Sequence, residues 1–470
     1  MSELLDDTVP TREKVLVVGA GPAGLAAAAA LKALGVPFDL VDRSPDVGGI
    51  WHDDRVDTPV WSAMEMISST AFTQYEDLLQ PASYPAFLNP AQMAKYLRAY
   101  AARYNLTDHF QPRTEVEHAR PFEEGRWQVT LSNGRIDVYR AIVAAHGIAS
   151  RPHVPEWAQG ADPERVIHAW QWTGSAGLEG RRVLVVGSGQ SAADIAVDAA
   201  RRAQEVRWSA RSGHWVVPRT VGPLPGDVVA SREPALLGRL NTTIADAAIG
   251  RLAGNPASVG LPAPRASVLE DRVIVSDDVL DRVREGRITP VADVRDLAAD
   301  GTVTLTDGAT WTPDLIVLAT GYESGADYLD EDVLPTTADG APDLFLGAFP
   351  RHRDDLVVLG QVRVNGGVLP VLVEQADIAA YFLHAVATGD PRAEDFRRVR
   401  SGGDAGALAV AHRRQAPTGL RGRVRRGLES ARRQARRTPA PQAVTERGQL
   451  PLSDRAELLE RLRGVREIFD

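Results

Sequence analysis

The chain has 470 residues, 44% of them hydrophobic, with a formal charge of −9 and a pI near 5.7; that is enough for two or three domains with proper cores and excludes disorder throughout. It contains no cysteine, which rules out disulfide frameworks, thiolate-held zinc, iron–sulfur centres and dithiol redox chemistry. The acidity argues against nucleic-acid binding by the chain as a whole, and because arginine supplies 50 of the 53 basic residues, a single arginine carries little weight as a signal.

The opening residues, MSELLDDTVPTREK, lack the basic-then-apolar layout of a secretory leader, so a cytoplasmic location is expected. Val15 to Leu31 is the most apolar stretch, but Gly19, Gly21, Pro22, Gly24 and its alanines make it too short and too weakly hydrophobic for a membrane span. No transmembrane segment is expected. The run reads instead as strand, turn and helix. Val15 to Val18 is a buried parallel strand feeding Gly19-Ala-Gly21-Pro-Ala-Gly24, a GxGxxG turn. In such a turn the first glycine permits the tight bend, the second admits a pyrophosphate to the backbone, and the third packs the helix on the strand. An alanine-rich helix over 23–34 ends at Gly35 and offers its N-terminus to a diphosphate. A second strand, Phe38 to Val41, ends at Asp42, 18 residues after Gly24, where a carboxylate accepts hydrogen bonds from a ribose diol.

About 168 residues on, the pattern returns as Val183 to Val186, then Gly187-Ser-Gly189-Gln190-Ser191-Ala192 and a helix over 191–203. The strand that follows carries no terminal acid; it runs Trp208-Ser209-Ala-Arg211-Ser. A guanidinium with a neighbouring hydroxyl suits a 2′-phosphate that a carboxylate would repel, although Arg211 also reads as a solvated surface arginine. Two dinucleotide sites on one chain imply electron transfer between two cofactors, and the usual partner of a nicotinamide is a flavin. The assignment is FAD at the first site and NADPH at the second. A disulfide reductase would have the same pair, but there is no thiol to reduce.

Further segments resemble the flavin-containing monooxygenases, a class B flavoprotein monooxygenase family, over roughly residues 12 to 390. Gly48-Gly49-Ile-Trp51-His52 is similar to that family's GGxW element, and Ala144-Ala-His-Gly147 and Leu318-Ala-Thr-Gly321-Tyr322 to its two ATG-type turns. Gly360 to Pro370, followed by Glu374-Gln375, is similar to its last FAD-contacting strand and the helix behind it. Pro155-Glu-Trp157 and His168-Ala-Trp-Gln-Trp172 keep only part of its identifying stretch; His168 reads as a hinge residue or as a packed interdomain histidine. Where many relatives place an asparagine near the flavin, this chain has Ile67 and Ser68.

The resemblance implies an α/β fold of two Rossmann-like dinucleotide-binding domains, the NADPH domain inserted into the FAD domain. Residues 12–150 and 318–400 would bind FAD, 151–317 NADPH, and 401–470 would form an Arg-rich extension with a terminal helix. The implied activity is an FAD-dependent, NADPH-consuming monooxygenase that inserts one oxygen atom from O2 into a small organic substrate through a C4a-peroxyflavin. Trp51, His52, Ser68 and Asn365 are nominated for the flavin face, Ser68 and Asn365 as catalytic groups, and no metal is implied. Two readings stay open beside it: an NADPH-dependent flavin oxidoreductase without oxygen insertion, and a nucleotide-binding interaction protein with structural FAD.

Residues 220–264, rich in Gly and Pro with a helical stretch over 236–252, read as a substrate-covering segment. Ala411 to Ala440 holds ten arginines and one acid, suited to RNA, to an anionic membrane surface or simply to solvent. A last helix is expected from Ser453 to Phe469 with Leu458, Leu462, Val465 and Ile468 on one side, docking on its own core or on another subunit.

Overall fold

A computed structural model describes residues 9–52, 58–231, 242–323, 325–330, 332–337, 341–402 and 452–469. Two five-stranded sheets organise the chain. In the first, the strands lie in the order Leu356–Val358, Ala141–Ala144, Val15–Val18, Phe38–Val41 and Phe110–Gln111, all parallel. The second runs Thr289–Val291, Glu205–Ser209, Arg182–Val186, Leu315–Leu318 and Val166–His168, again all parallel. These strands are short aliphatic runs, and the central ones are buried along almost their whole length, as parallel strands covered on both faces must be.

Each sheet reverses its strand order beside its glycine turn. In the first, Val15–Val18 has Phe38–Val41 on one side and Ala141–Ala144 on the other; in the second, Arg182–Val186 lies between Glu205–Ser209 and Leu315–Leu318. Ligands of open α/β sheets bind in the crevice at such switch points, beyond the carboxyl ends of the strands. Each crevice is therefore flanked by one glycine fingerprint and one ATG-type turn.

The helix after the first fingerprint spans Pro22–Ala33 and the one after the second Gln190–Ala199, four residues shorter at its C-terminus than its composition suggests. Strand Leu315–Leu318 lies wholly in the second sheet, so that sheet extends one residue past the division expected at 317/318. The chain enters the second unit through Arg151–Pro152 and leaves it through Tyr322–Glu323, and these two strands pair antiparallel. Within 220–264 the helices are Gly226–Ser231 and Thr242–Leu252; the start of the expected 236–252 helix falls outside the described residues, as does the arginine-rich stretch 411–440.

The Leu369–Thr388 helix is 20 residues long and apolar enough to cross a membrane, but 67% of its most apolar window is buried in the protein. It packs between Pro22–Ala33 and the C-terminal helix, Arg455–Arg466. That last helix is shorter than the expected 453–469 and is capped by Asp454, not Ser453: the Asp454 carboxylate accepts the Glu457 N–H at 2.9 Å. Leu458, Leu462, Val465 and Ile468 enter the core shared with Leu369–Thr388, so the helix docks on its own chain. Glu374, 2% exposed, accepts hydrogen bonds from Arg463 and Arg466, both at 2.8 Å. Strand Leu452–Ser453 pairs parallel with Arg363–Val364, bringing the chain end beside the Asn365 loop.

Candidate active site

The first turn is held by backbone contacts that leave no room for side chains. Gly19 has φ +105°, and a Cβ on it would stand 2.4 Å from the Ala145 carbonyl oxygen across the switch point; one on Gly24 would stand 1.7 Å from the Gly19 oxygen. The second glycine has a use the motif does not announce. Gly48 donates its N–H to the Ala20 carbonyl at 2.9 Å, and Gly49, with φ +60°, lies so close that a Cβ on it would be 2.9 Å from Gly21 Cα. The Gly48–Trp51 segment thus folds back over the turn, with Trp51 half-buried against the core and His52 buried, its Nε2 3.8 Å from Asp46. The half-buried Asp42 carboxylate accepts the N–H of Ala20 and that of Ser44, both at 2.7 Å, so it braces the turn in addition to any ribose contact.

The second turn repeats the geometry. A Cβ on Gly187 would fall 2.1 Å from the Ala319 oxygen, the counterpart of the Gly19–Ala145 contact. The side chains of two residues expected at this site are engaged within the protein. Gln190 Nε2 donates to Asp194 and to the Val275 carbonyl, each at 2.9 Å, and Oε1 accepts the Val275 N–H at 2.8 Å, which leaves its backbone N–H at the start of the helix. Ser209 is fully buried with its hydroxyl 3.5 Å from Asp293, so it belongs to the core beneath the site. Arg211 is exposed just beyond the strand, next to Ser212, whose N–H donates to the Ser188 hydroxyl at 3.0 Å. Ser191 is half-buried in the first turn of the helix.

Burial pushes Asp194 up to about 7, with the Gln190 amide and the Arg219 charge pulling the other way. A folded-state value above the unfolded one means that the native state retains a proton the unfolded chain has released, so stability falls as pH rises from about 4 to about 7. Asp194→Asn keeps an acceptor for Gln190 without the charge. We expect its thermal midpoint to exceed that of the wild type by roughly 2–4 °C at pH 8, with the difference shrinking as pH falls and gone by about pH 4, as read by calorimetry.

Two neutral histidines sit where the units meet. His168 accepts the Trp170 N–H on Nδ1 and donates from Nε2 to the Gly321 carbonyl, both at 3.1 Å, edge-on to the Tyr322 ring; burial pushes its pKa down to about 4. Gly321 itself has φ +94°. His146, in the first ATG-type turn, lies 3.2 Å from the Tyr328 hydroxyl and accepts from the Gln361 amide at 3.3 Å, and burial takes it also to about 4. Both rings therefore stay uncharged near neutral pH and bring hydrogen bonding but no charge to the joint.

Of the two groups nominated for catalysis, Ser68 is buried with its hydroxyl 2.8 Å from that of Thr73, and Asn365 is exposed and donates to the Asp271 carbonyl at 3.3 Å. Each lies at a seam: Ser69, next to Ser68, donates its N–H to Asp227 of the second unit at 2.7 Å, and Asp271 too belongs to that unit. Asp227 has no motif to reveal it. Among the described residues no group of three or more His, Asp or Glu is placed to hold a metal ion.

The donor set fits two dinucleotides. The N-terminus of Pro22–Ala33 has neither a side-chain cap nor an acid in its first turn, and neither has that of Gln190–Ala199. A Cβ on Gly189 would meet nothing within 4 Å, leaving open space over the second turn where a pyrophosphate must approach.

Residues 12–398 match the family described as FMO-like, Flavin-binding monooxygenase-like. Dimethylaniline monooxygenase (N-oxide-forming) 2 of Rattus norvegicus is 29% identical over 393 residues, covering 77% of this chain and 72% of its own. Indole-3-pyruvate monooxygenase YUCCA1 of Oryza sativa subsp. japonica is 30% identical over 357 residues, covering 72% of this chain and 84% of its own. Among solved structures, a flavin-containing monooxygenase from Stenotrophomonas maltophilia superposes with a TM-score of 0.60 at 19% identity, over 79% of this chain and 98% of its own. Cyclohexanone monooxygenase from Rhodococcus sp. Phi1, bound to NADP+, does so with a TM-score of 0.61 at 18% identity, over 82% and 86%. The C-terminal strand and helix, 452–469, lie beyond the family match.

Proposed function

The chain belongs to the Flavin-binding monooxygenase-like family, and from that premise we propose which residues hold its cofactors and what they contribute to oxygen insertion. The enzyme is a flavin-dependent, NADPH-consuming monooxygenase. One atom of O2 enters a small organic substrate and the other leaves as water, with NADPH supplying the electron pair. Membership of this family does not favour the reductase or structural-FAD readings.

The observation that carries the assignment of residues is the doubled crevice, in which a glycine fingerprint and an ATG-type turn flank each switch point. FAD, when bound, supplies the two-electron relay and the activation of O2. Gly19, Gly21 and Gly24, with the helix N-terminus at Pro22, take its pyrophosphate. Asp42 fixes the turn beside the ribose, and Gly49, Trp51 and His52 close over it. Gly187, Gly189 and Ser191 take the NADPH pyrophosphate, Arg211 its 2′-phosphate, and Gly321 lets the chain turn between the two cofactors. Uncharged His146 and His168, the first half-buried and the second buried, keep water and stray charge away from the joint with Trp170 and Tyr322. Ser68 and Thr73 provide hydroxyls where relatives have an amide. The substrate panel should span amines, sulfides and ketones, because the relatives named above are named for dimethylaniline, indole-3-pyruvate and cyclohexanone.

Anaerobic stopped-flow mixing tests the reading: NADPH should bleach the bound flavin, and oxygen from labelled O2 should then appear in product. In Arg211→Ala, the concentration of NADPH for half-maximal bleaching should rise roughly tenfold while that of NADH hardly moves, as expected for one lost charge-assisted contact. Equal losses with both coenzymes would remove Arg211 from the 2′-phosphate site.

A further inference from the structure

Arg455, the first residue of the C-terminal helix, reaches the seam between the two stretches nominated for the flavin face. Its guanidinium carbon lies 3.8 Å from the centre of the Phe72 ring, in the segment that follows Ser68. Its Nη1 is near enough to Gly366, next to Asn365, that a Cβ there would be 2.7 Å away. The two stretches touch directly, since a Cβ on Gly367 would fall 2.0 Å from the Phe72 carbonyl oxygen. The pairing of Leu452–Ser453 with Arg363–Val364, and the clamp on Glu374, hold this end of the chain in place.

Arg455 Nη1 is buried without a hydrogen-bond partner, and so are Asp227 Oδ1 and Ser69 Oγ. Asp227 acts on Arg455 through its charge, but the two form no ion pair, and Asp227 Oδ2 already accepts the Ser69 N–H at 2.7 Å. A buried N–H of a charged group with no acceptor is costly, and it calls for an acceptor that the protein itself does not supply. Stacking on Phe72 covers one face of the guanidinium, and its in-plane N–H groups match the two oxygens of a carboxylate. Asp227 favours the charged guanidinium but disfavours a second negative charge on the ligand.

We propose that Arg455 is a specificity-determining residue that binds the carboxylate of the substrate, so that this enzyme prefers small monocarboxylate substrates over neutral ones. The inference rests on the monooxygenase function above and adds a substrate class to it. The segment that carries it lies outside the part of the chain shared with the family.

The test uses full-length holoenzyme and two sulfides that differ only in the acid: 4-(methylthio)benzoate and thioanisole. The wild type should show at least a tenfold higher kcat/KM for the acid, roughly what one charged contact provides. Arg455→Gln should erase that ratio, and Arg455→Lys, which keeps the charge without the planar fork, should retain part of it. Calorimetric titration with 4-(methylthio)benzoate should show binding to the wild type and a loss of at least tenfold in affinity in Arg455→Gln. A wild type that prefers thioanisole, or variants with the wild-type ratio and affinity, would overturn the proposal. If Arg455→Gln does not fold, Arg455→Lys decides by the same two readouts. Failure of NADPH to bleach the wild-type flavin would instead count against the function itself, and the titration would still decide on the carboxylate.

Discussion

A single methyl group at Gly24 should cost the enzyme its flavin. In Gly24→Ala the new Cβ would lie 1.7 Å from the Gly19 oxygen and 2.9 Å from the Gly19 carbonyl carbon, and neither can retreat. The Gly19 N–H is bonded to the Val41 carbonyl at 2.8 Å, the Ala20 N–H to Asp42 at 2.7 Å, and Gly19 itself abuts Ala145. Relief requires the helix to lift off its strand, which takes its N-terminal N–H groups away from the pyrophosphate. Overpacking of this kind costs about 1–3 kcal/mol or more, and here it falls on the binding turn itself. Purified Gly24→Ala should carry less than roughly a tenth of the wild-type flavin, measured by the ratio of flavin to protein absorbance. The same motif position in the second turn is already an alanine, Ala192, fully buried without such a clash, so Ala192→Gly should leave flavin content unchanged. A yellow, fully loaded Gly24→Ala protein would show that this turn does not hold the cofactor.

Glu374→Ala should unseat the C-terminal helix. Glu374 is buried in the Leu369–Thr388 helix and accepts from two arginines of the terminal one. Arg463 and Arg466 keep 53% and 32% of their side chains exposed, so on losing the acid they regain water in part, and the penalty falls below that of a fully buried broken pair. About 2 kcal/mol of local stability is the expected loss. The change should appear as faster proteolytic cleavage near residue 452, a lower thermal midpoint, and weakened discrimination between the two sulfides, because Arg455 rides on the same helix. A variant with wild-type protease resistance would mean that Leu458, Leu462, Val465 and Ile468 suffice to hold the helix.

The glycine turns and the strands feeding them were legible because buried parallel strands are continuous aliphatic runs and a turn without room for a Cβ demands glycine. The ATG-type turns could be placed only by resemblance, since the contact that explains them joins Gly19 to Ala145 and Gly187 to Ala319, far apart in the chain. Where the Gln190 and Ser209 side chains point was not legible, because a motif records residue types and not side-chain directions. Burial alternates along Glu205–Ser209 until its last residue, so period-two alternation puts Ser209 on the half-buried face of Glu205 and Arg207, and only the fold buries it; Gln190 is claimed by a strand 85 residues downstream. Asp227 and Arg455 gave no signal at all: one lies on a short helix in a Gly- and Pro-rich stretch, the other among arginines too numerous for one to stand out. What reveals them is a set of buried polar atoms that the fold leaves unsatisfied.

The antiparallel pairing of Arg151–Pro152 with Tyr322–Glu323 places the entrance and the exit of the second unit side by side. Topologically that unit is a cassette: its two ends meet at one doorway, and the host sheet closes behind it through the pairing of Leu356–Val358 with Ala141–Ala144. On the cofactor assignment proposed above, transplanting the whole cassette at this doorway should exchange coenzyme preference while flavin content stays unchanged.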